Sequence, residues 1–386
     1  MTRANKALRI LHTPTLTGNQ PGVLAAAERS IGLESRCISL YPARFDFQTD
    51  AQLWLPSDGL LRREIKRWRF FFHAIRAYDV IHFNFGRGFA PPAIAWSEPH
   101  QHFPRKNVLK VLYCLYAFLC GHRDLWLLKR LGKKIVVTYM GDDCRNNAYC
   151  DEHFRYCIRS SDPLDQRSAA WDRIRERNVA AFDRFADRIY GLNPDLFYFL
   201  PTRAKFLAYA SVDPEDWPLL PHPARAVPLV IHAPSNRNAK GTSHILAAVE
   251  RLRQEGIAFD FKLVEQLSHQ EARVLYEQAD LVIDQLLAGW YGAFTVECMS
   301  LGKPVIAYLR EEDFSCLPTE MAKNLPLIQA NPDTIEHVLR EWLTTRKSEL
   351  PERGRVSRRF VEQWHDPAKI AKRLQRDYES LFVRGI

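Results

Sequence analysis

The stretch of sequence that decides the fold is residues 279–308, ADLVIDQLLAGWYGAFTVECMSLGKPVIAY. An apolar run ends at Asp284, a loop with two glycines follows, and a short helical segment leads through a Gly-Lys-Pro turn into a second apolar run. This order predicts a buried strand, a loop, a helix and another buried strand. Such a succession is typical of a parallel sheet that is covered by helices.

The loop and the helix of this stretch carry groups that suit a nucleotide. Gly292 lets the backbone approach a ligand closely, and the amides that follow, from Ala293 on, point out of a helix N-terminus. Glu297 can accept hydrogen bonds from a ribose diol, or it is simply a carboxylate that stabilises the positive end of the helix. Trp290 and Tyr291 either stack on a base or sugar or pack into the interior.

A second stretch, residues 230–252, is VIHAPSNRNAKGTSHILAAVERL. It predicts a strand, a loop and a helix that begins near Thr242. The loop holds five residues of the kinds found in phosphate sites: Ser235, Asn236, Arg237, Lys240 and Gly241. Basic side chains beside the free N–H groups of a helix N-terminus make a site for a diphosphate. The alternative is an ordinary solvated loop with a threonine cap.

The rest of the chain repeats this alternation in two halves, which a proline-rich stretch separates. No helix or inner strand tolerates prolines at the density found between residues 194 and 228. We therefore expect an α/β protein with two Rossmann-like domains that face a ligand cleft. The expected ranges are 1–210 for the N-terminal domain, 211–227 for the linker, 228–365 for the C-terminal domain and 366–386 for a last helix.

Together, the two quoted stretches resemble the nucleotide-sugar half of retaining GT-B glycosyltransferases of the group 1, family 4-like kind. The resemblance implies that the C-terminal domain binds a nucleotide-diphosphate sugar. It also implies that the N-terminal domain lies on the acceptor side and that the last helix returns to it. Lys240 matches the lysine that contacts the donor diphosphate. Glu297 matches the second glutamate of the family's E-x7-E motif, which holds the nucleotide ribose.

Two positions depart from the family pattern. Gly289 stands where the first glutamate of E-x7-E falls. Ser235 stands where an arginine is usual, although Arg237 lies close enough to substitute. We expect the other donor contacts from a set of polar side chains and backbone amides: Ser235, Asn236, Asp284, Gly289, Gly292 and Ala293.

Loops after predicted strands of the first half suit the same cleft. TLTGNQPG at 15–22 resembles the glycine-bearing loop that faces the donor phosphates, with Gly18 and Asn19 as contacts, although a plain turn explains it equally well. VVTYMGDDCR at 136–145 places Asp142 and Asp143 at a strand end, where they would act on the acceptor or the donor sugar. Their alternative is a loop cap and a surface salt bridge. Arg87 follows another strand end and is expected to reach the cleft too.

The resemblance implies a hexosyltransferase-type enzyme that transfers a sugar from a nucleotide-diphosphate sugar to a glycan, lipid-linked or small-molecule acceptor, with retention of configuration. That mechanism needs no protein nucleophile, and the expected catalytic residues are Lys240, Arg237, Asp142 and Asp143. No cofactor is expected, because the nucleotide sugar is itself the donor substrate. Two alternatives stay open: a catalytically degenerate GT-B nucleotide-binding or scaffold protein, which Gly289 favours, and a sugar-nucleotide epimerase.

Charge is distributed unevenly along the 386 residues, whose net charge is +9. Residues 1–210 carry 32 basic and 20 acidic side chains, net +12, and residues 211–386 carry 22 and 25, net −3. The basic residues cluster at 60–77 and 105–134, beside aromatic and apolar ones, which is typical of docking on an anionic membrane surface. A solvated helix face is the alternative. No nucleic-acid partner is expected, because no recognition motif of that kind occurs.

The ends of the chain and its cysteines favour a cytoplasmic protein, and the basic clusters favour one that is peripheral on the cytoplasmic membrane face. The first residues lack the apolar core of a signal peptide, and no apolar run is long enough to span a bilayer. Eight cysteines without a signal peptide are typical of reduced thiols. Cys144, Cys150 and Cys157 lie near His153, but their spacing is wider than in zinc sites, so no metal is expected.

Overall fold

The computed structural model describes residues 7–42, 47–96, 98, 108–158, 168–223 and 225–383. The chain divides into two compact units. The N-terminal unit comprises Met1–Cys150, Ser161–Leu207 and Pro367–Ile386, and the C-terminal unit comprises Asp151–Ser160 and Ala208–Asp366. The boundary therefore falls slightly before the expected one at residue 210, and residues 151–160 group with the second unit rather than the first.

Strands and helices alternate through both units. Up to residue 207 the elements are β1 (Arg9–Thr13), α1 (Gln20–Ser30), β2 (Glu34–Ser39), β3 (Ala51–Gln52), α2 (Leu60–Ala77), β4 (Val80–Asn84), α3 (Val108–Cys120), α4 (Arg123–Arg130), β5 (Lys134–Tyr139), α5 (Asn147–His153), α6 (Ala169–Phe185), β6 (Arg188–Gly191) and β7 (Lys205–Phe206). From residue 208 they are β8 (Leu229–His232), α7 (Arg237–Lys240), α8 (Thr242–Gln254), β9 (Asp260–Leu263), α9 (His269–Gln278), β10 (Leu281–Ile283), α10 (Ala293–Ser300), β11 (Val305–Ala307), α11 (Thr319–Lys323), β12 (Ile328–Gln329), α12 (Ile335–Leu343), α13 (Leu350–Trp364) and α14 (Pro367–Ser380).

The N-terminal unit is built on a seven-stranded parallel sheet in the order β3-β2-β1-β4-β5-β6-β7. Every residue of β4 is buried, and so is β5 after its first residue. Burial on both faces is expected of inner strands in a covered parallel sheet. Their side chains join those of α2 and α6 in one apolar core, which includes Phe71, Ile81, Phe83, Val137 and Phe182.

The C-terminal unit is built on a five-stranded parallel sheet in the order β12-β11-β10-β8-β9. β8 and β10 are neighbours, with Val230 paired with Leu281 and Ile231 with Val282. Their apolar side chains pack with those of α8 and α12, and Trp342 is among the largest fully buried side chains. The prediction of an α/β chain with two parallel sheets is confirmed.

The last helix, α14, packs in the N-terminal unit through a buried polar network. The Tyr378 hydroxyl donates to Glu28 Oε1 of α1 at 3.0 Å and lies 2.7 Å from His82 Nδ1 of β4. Glu28 also accepts from the Ser35 hydroxyl at 2.6 Å and contacts His12 Nε2 at 2.9 Å. Burial holds the pKa of His82 well below its usual range, so the ring is neutral there and donates through Nδ1 to Tyr378. Because these polar groups are fully buried, each needs its protein partners to satisfy its hydrogen bonds.

The proline-rich stretch packs on the C-terminal unit. Trp217 is buried, and its carbonyl accepts from the Arg358 guanidinium of α13 at 2.5 Å. Residues 151–160 join this unit through Arg310, whose Nη2 donates to the Tyr156 carbonyl at 3.2 Å and whose guanidinium lies 3.5 Å from the Phe154 ring centroid. These contacts explain why 151–160 group with the second unit, which the sequence did not indicate.

Candidate functional site

The order of the C-terminal sheet marks where a ligand is expected to bind. β8 and β10 are adjacent in the sheet but not in the chain, and β9 lies on the other side of β8. In open parallel sheets, ligands bind outside the carboxyl ends of the strands at such a topological switch point. The chain leaves β8 into the 233–240 loop and leaves β10 at Asp284. Both quoted stretches of sequence therefore end at the same edge of one sheet.

Lys240 and Asp284 form an ion pair at this switch point. Lys240 is the last residue of α7, and its Nζ lies 2.5 Å from Asp284 Oδ1. The Asp284 side chain is fully buried, and that of Lys240 is 19% exposed. The second carboxylate oxygen accepts from the Thr295 hydroxyl at 2.6 Å and from the Gly292 N–H at 3.3 Å. The carboxylate thus fixes both the lysine and the start of α10.

The surroundings of Asp284 keep it ionised. Burial raises the pKa of the Asp284 carboxyl, but the nearby Lys240 ammonium and the hydrogen bonds from Lys240, Thr295 and Gly292 outweigh this and hold the pKa below its usual range. Asp284 is therefore a carboxylate at neutral pH. The sequence pointed to Lys240 and Asp284 separately, but Thr295, which completes the site, was not predicted.

The ammonium of Lys240 lies beside the N-terminus of α10. A Cβ on Gly292, the N-cap residue, would lie 4.0 Å from Lys240 Nζ. The unpaired amides of a helix N-terminus and a nearby cation both attract anions. Gly241 allows this approach, because it holds a φ of 72° and a Cβ there would lie 3.3 Å from Leu286 Cβ and Leu287 Cγ. The arrangement can hold a phosphate or a diphosphate.

Thr242, the first residue of α8, is held by a buried histidine of β8. His232 Nδ1 lies 2.9 Å from the Ile283 carbonyl, and Nε2 lies 2.9 Å from the Thr242 hydroxyl. Burial lowers the pKa of His232 to about 4, against the effect of the Ile283 carbonyl, so the ring is neutral. Since a carbonyl only accepts, Nδ1 donates to it and the Thr242 hydroxyl donates to Nε2. Thr242 is therefore held inside the fold rather than free for a ligand.

The other predicted residues of the 233–240 loop are exposed. Arg237 points to Glu265, with Nε 2.7 Å from Oε1 and Nη2 2.5 Å from Oε2. Asn236 caps α7 by accepting from the Ala239 N–H at 3.1 Å, and Ser235 is exposed in the turn before it. In this structure, Arg237 does not join Lys240 and Asp284.

Glu297 of α10 is paired with a residue that the sequence did not single out. Its Oε1 lies 2.9 Å from His269 Nε2, at the start of α9. The hydrogen bond to Glu297 raises the pKa of His269, although burial opposes it. The side chain of Glu297 is only 15% exposed, so a ribose would have to share it with His269 or displace the ring. His269 is placed at the start of α9 by a capping box, in which the Ser268 hydroxyl accepts from the Glu271 N–H and the Glu271 carboxylate accepts from the Ser268 N–H.

The structure gives a steric reason for Gly289. Its φ is 73°, and a Cβ there would lie 3.0 Å from Arg310 Nη2 and 3.2 Å from Arg310 Cβ. The buried Arg310 side chain is fixed by Asp313, whose Oδ2 lies 3.1 Å from Nη1. A left-handed φ disfavours any residue with a Cβ. The place of the first motif glutamate is therefore taken by a glycine that packs against a buried cation.

The loop between β10 and α10 is tied down from inside. Gln285 accepts from the amides of Leu287 and Ala288 at 2.9 and 2.6 Å, and its Nε2 donates to the Trp290 carbonyl at 2.5 Å. Trp290 and Tyr291 are 3% and 1% exposed, and the Tyr291 hydroxyl lies 2.9 Å from His365 Nε2. Of the two alternatives for these aromatic residues, the structure favours packing.

The N-terminal sheet has its own switch point, between β1 and β4. Gly18 and Asn19 lie in the turn after β1 with φ values of 62° and 58°, and Asn19 Oδ1 accepts from the Gln48 N–H at 2.9 Å. A Cβ on Gly18 would lie 4.0 Å from Met140 Cε. The turn after β1 and the loop after β5 thus lie against each other at this edge.

Asp142 and Asp143 follow β5 and differ in environment. Asp142 is exposed, and its Oδ1 lies 2.7 Å from Arg145 Nη1. Asp143 is buried and accepts from the Gly141 and Met140 amides at 2.8 and 3.1 Å. Burial raises the pKa of Asp143 to about 6, although these amides lower it. A loop cap and a salt bridge, the alternative drawn from the sequence, describe these contacts, and both residues also line a cavity together with Arg87.

Two further observations concern metals and membranes. Within the described part of the chain, no group of three or more His, Cys, Asp and Glu side chains has an arrangement that could hold a metal ion. The cysteines near His153 do not form such a group: Cys144, Cys150 and Cys157 are buried thiols that are not in disulfide bonds with described residues. None of the helices that the structure describes combines the length and the apolar content needed to cross a bilayer.

Solved structures resemble the chain over nearly its full length. Sucrose-phosphate synthase from Thermosynechococcus elongatus superposes with a TM-score of 0.59 at 14% identity, covering 98% of this chain and 99% of that one. The catalytic domain of starch synthase IV from Arabidopsis thaliana, bound to ADP and acarbose, gives 0.55 at 12%, covering 98% and 100%. The chain has the GT-B fold. A protein described as a UDP-N-acetylglucosamine 2-epimerase from Listeria monocytogenes gives 0.51 at 11%, covering 99% and 98%.

At these identities the likeness concerns the GT-B fold alone. No protein-family model and no curated protein matches the sequence. The GT-B fold was predicted from the two stretches at 230–252 and 279–308, and that prediction is confirmed.

Proposed function

We propose that the protein is a glycosyltransferase of the hexosyltransferase type. In this proposal it transfers a sugar from a nucleotide-diphosphate sugar to a glycan, lipid-linked or small-molecule acceptor, with retention of configuration. The observation that carries the proposal is the Lys240 ammonium beside the N-terminus of α10, at the switch point of the C-terminal sheet. Structures of this fold bound to UDP and ADP support a nucleotide as ligand.

The chemistry follows from what this site can stabilise. When the bond to the sugar breaks, negative charge develops on the diphosphate oxygens. Lys240 and the amides from Ala293 onward are already oriented, because Asp284 holds both the lysine and Gly292 at the start of the helix, so they stabilise that charge without reorganisation. Glu297 and the Ser235–Asn236 turn are assigned to the nucleoside and phosphates on the strength of the family resemblance. Gly18, Asn19, Asp142 and Asp143 are assigned to the N-terminal side of the reaction on the same ground.

The test is nucleotide release from a panel of UDP-, GDP- and ADP-sugars by the purified chain. We expect release from one donor class, and a loss of about 100-fold or more in Lys240→Met, as for other groups that stabilise a leaving anion. Lys323→Met is the matched control, since Lys323 is an exposed lysine of α11 in the same unit. Far-UV circular dichroism and thermal unfolding identify any variant that fails to fold. Turnover in Lys240→Met equal to that of the unchanged chain contradicts its assigned role.

The configuration of the transferred sugar is tested separately. ¹H NMR of the product of an α-linked donor should show an α-linkage. A β-linked product overturns retention and leaves the assignment as a glycosyltransferase intact.

Two other functions are each favoured by one observation. Gly289 packed on Arg310 removes a motif carboxylate and favours a protein that binds a nucleotide without catalysis. The epimerase of the same fold favours interconversion of the donor sugar. The donor panel separates them: bound nucleotide without release indicates the first, and a changed sugar nucleotide in the absence of any acceptor indicates the second.

We further propose that the N-terminal unit docks on an anionic membrane through α2 and α3. On α3, apolar side chains face outward: Val108, Leu109, Val111, Leu112, Leu115, Phe118 and Leu119 are 49–82% exposed. Leu61, Ile65 and Phe72 of α2 are exposed too, and the helices touch where Trp68 Nε1 donates to the Tyr116 hydroxyl at 2.6 Å. An apolar face on α3 disagrees with the alternative of a solvated polar helix face.

The cations of this surface are fewer than the sequence suggested. Lys110 and Arg67 are buried, and Lys66 pairs with Asp58. Residues 105–107, part of the predicted basic segment, lie outside the described residues. Arg62 is exposed but pairs with Asp58, and the other exposed arginines that accompany the apolar face are Arg69, Arg76, Arg123 and Arg130. Apolar residues flanked by cations suit binding in the plane of an anionic interface.

Sedimentation with liposomes tests the docking. The chain should sediment with vesicles that contain phosphatidylglycerol, far less with phosphatidylcholine alone, and binding should weaken at high salt. Phe118→Ser, at the most exposed apolar position of α3, should reduce it. Val274→Ser, an exposed position of the C-terminal unit, is the control. Binding that is indifferent to lipid charge refutes the proposal.

A further inference from the structure

The N-terminal unit contains a cavity of about 270 Å³ at the carboxyl ends of β4 and β5. Its walls come from the loop after β4, the loop after β5, the end of α3 and one face of α6. The loop after β4 is held in an unusual conformation, with φ values of 64° at Phe85 and 52° at Gly86. A Cβ on Gly86 would lie 2.6 Å from Tyr139 Cε1, so only glycine brings this loop so close to β5. Strained backbone of this kind is common at functional sites.

Arg87 lines this cavity without a carboxylate partner. Its guanidinium carbon lies 5.8 Å from the centroid of the Tyr41 ring and 5.6 Å from that of Phe85. Among the residues that the structure describes, no carboxylate pairs with it. A half-buried arginine between two rings is oriented by them but keeps its N–H groups for a ligand.

Three other charged residues of the cavity wall, Arg175, Asp142 and Asp143, have partners within the protein. Arg175 Nη1 lies 2.9 Å from Asp172 Oδ1, and Asp142 lies 2.7 Å from Arg145. Asp143 accepts from two backbone amides of its own loop. The carboxylates near the cavity therefore have their own donors and do not neutralise Arg87.

Two polar atoms of the wall are buried and lack a partner within the described parts of the chain. Tyr41 Oη is one, and Asp124 Oδ1 is the other. Asp124 is 2% exposed, and its second oxygen accepts from the Phe89 and Ala90 amides at 2.6 and 2.9 Å. A buried polar atom without a partner costs free energy, which a ligand of matching chemistry removes. A hydroxyl donor suits Asp124 Oδ1, and an anionic oxygen suits both the Tyr41 hydroxyl and Arg87.

We infer that this cavity binds a small polyhydroxylated molecule that carries a phosphate, with the phosphate at Arg87 and Tyr41 and a hydroxyl at Asp124. The inference rests on the proposed function, since such a molecule would be the acceptor. The volume is near the lower end of small-molecule sites, which fits a single sugar phosphate or a lipid headgroup. Ala117, Gly121 and His122 line the cavity at the end of α3, the helix with the exposed apolar face. The phosphate can therefore belong to a soluble sugar or to a lipid.

Isothermal titration calorimetry on the full chain, without any nucleotide sugar, tests the inference. The probes are glucose 6-phosphate, glucose and inorganic phosphate. We expect glucose 6-phosphate to bind more tightly than either of the others, and Arg87→Gln to weaken it by about 10- to 100-fold, the usual range for a lost charge-assisted contact. Arg87→Lys keeps the positive charge but not the planar guanidinium with its paired N–H donors, so it should weaken the binding of glucose 6-phosphate less than Arg87→Gln does. Arg36→Gln, at an exposed arginine of β2 that does not line the cavity, is the control and should bind as the unchanged chain does.

The outcomes separate the sources of the phosphate and the two proposals. Displacement of glucose 6-phosphate by vesicles containing phosphatidic acid assigns the phosphate to a lipid headgroup, and no displacement assigns it to a soluble sugar. Glucose binding as tightly as glucose 6-phosphate, or Arg87→Gln binding as the unchanged chain does, overturns the inference. Because neither donor nor turnover enters this assay, its failure leaves the glycosyltransferase proposal untouched. Absence of nucleotide release in the donor panel refutes only the latter.

Discussion

Replacing Lys240 by methionine should destabilise the chain as well as impair the proposed reaction. The substitution removes the ammonium 2.5 Å from Asp284 and leaves a fully buried carboxylate with only the Thr295 hydroxyl and one amide as donors among the described residues. Removing one partner of a buried ion pair costs about 3–5 kcal/mol. Because the Lys240 side chain is 19% exposed, water can replace part of the interaction. We therefore expect a loss of about 3 kcal/mol in the free energy of unfolding, at the lower end of that range.

The stability lost in Lys240→Met should depend on pH. The pKa of Asp284 is held below that of an unfolded aspartate, so its contribution to stability is present above about pH 4 and is lost as the pH falls through the folded pKa. Without Lys240, burial is no longer outweighed and this pKa rises. The deficit of Lys240→Met should thus be largest near neutral pH and shrink towards about pH 4 and below, where Asp284 becomes protonated.

Urea unfolding of a double-mutant cycle measures both effects. The four chains are the unchanged one, Lys240→Met, Asp284→Asn and the double variant, each followed by tryptophan fluorescence at pH 7 and at acidic pH. The amide oxygen introduced by Asp284→Asn can still accept from Thr295, so the double variant should be more stable than Lys240→Met alone. Arg237→Met, which removes an exposed ion pair with Glu265, is the control and should change stability little. Additive effects within about 0.5 kcal/mol, or a deficit that does not change with pH, would refute the reasoning.

Three further predictions concern packing. Tyr378→Phe removes a hydroxyl that donates to a buried carboxylate of α1, so it should lower stability by about 1–3 kcal/mol, and hydrogen exchange should show earlier opening of α14. Gly354→Ala should lower stability by about 2 kcal/mol in thermal or urea unfolding, although alanine favours helices. The reason is that its Cβ would lie 2.0 Å from the Gly302 carbonyl oxygen. An unchanged stability would mean that α13 can shift to make room for the methyl group. Gly289→Glu restores the family motif but should lower the melting temperature without raising nucleotide release, because φ is positive at this position and Arg310 fills the space. Increased nucleotide release would show that the site can accommodate the motif carboxylate.

Much of the fold could be predicted because its signals are local. The apolar runs at β5, β8, β10 and β11, the turns after them and the prolines between residues 194 and 228 depend on residues close in sequence. The grouping of residues 151–160 with the C-terminal unit had no such signal. It depends on Arg310 reaching Phe154 and Tyr156, residues far away in the chain. Propensity and periodicity do not report contacts at that separation.

The candidate site was predictable in its residue types but not in its pairings. Lys240, Asp284 and Gly292 were expected near a donor because they lie between a predicted strand and a predicted helix, and Glu297 was expected there from the family motif. The ion pairs themselves join residues that are far apart in the chain, so the sequence did not indicate them. These pairs are Asp284 with Lys240, Glu297 with His269 and Arg237 with Glu265. The same holds for basic residues counted as surface charge, of which Arg67 and Lys110 are buried.

The sequence by itself therefore determined the α/β alternation, the parallel sheets and the loops where a phosphate can bind, because these follow from local periodicity, from the backbone freedom of glycine and from the fixed φ of proline. Only the tertiary structure decided which charges meet. Lys240 and Asp284 are 44 residues apart in sequence, and they can form an ion pair because β8 and β10, the strands that precede them, are neighbours in the sheet. The tertiary structure also decided that Arg87 has no carboxylate partner among the described residues. The carboxylates around its cavity accept hydrogen bonds from other donors instead.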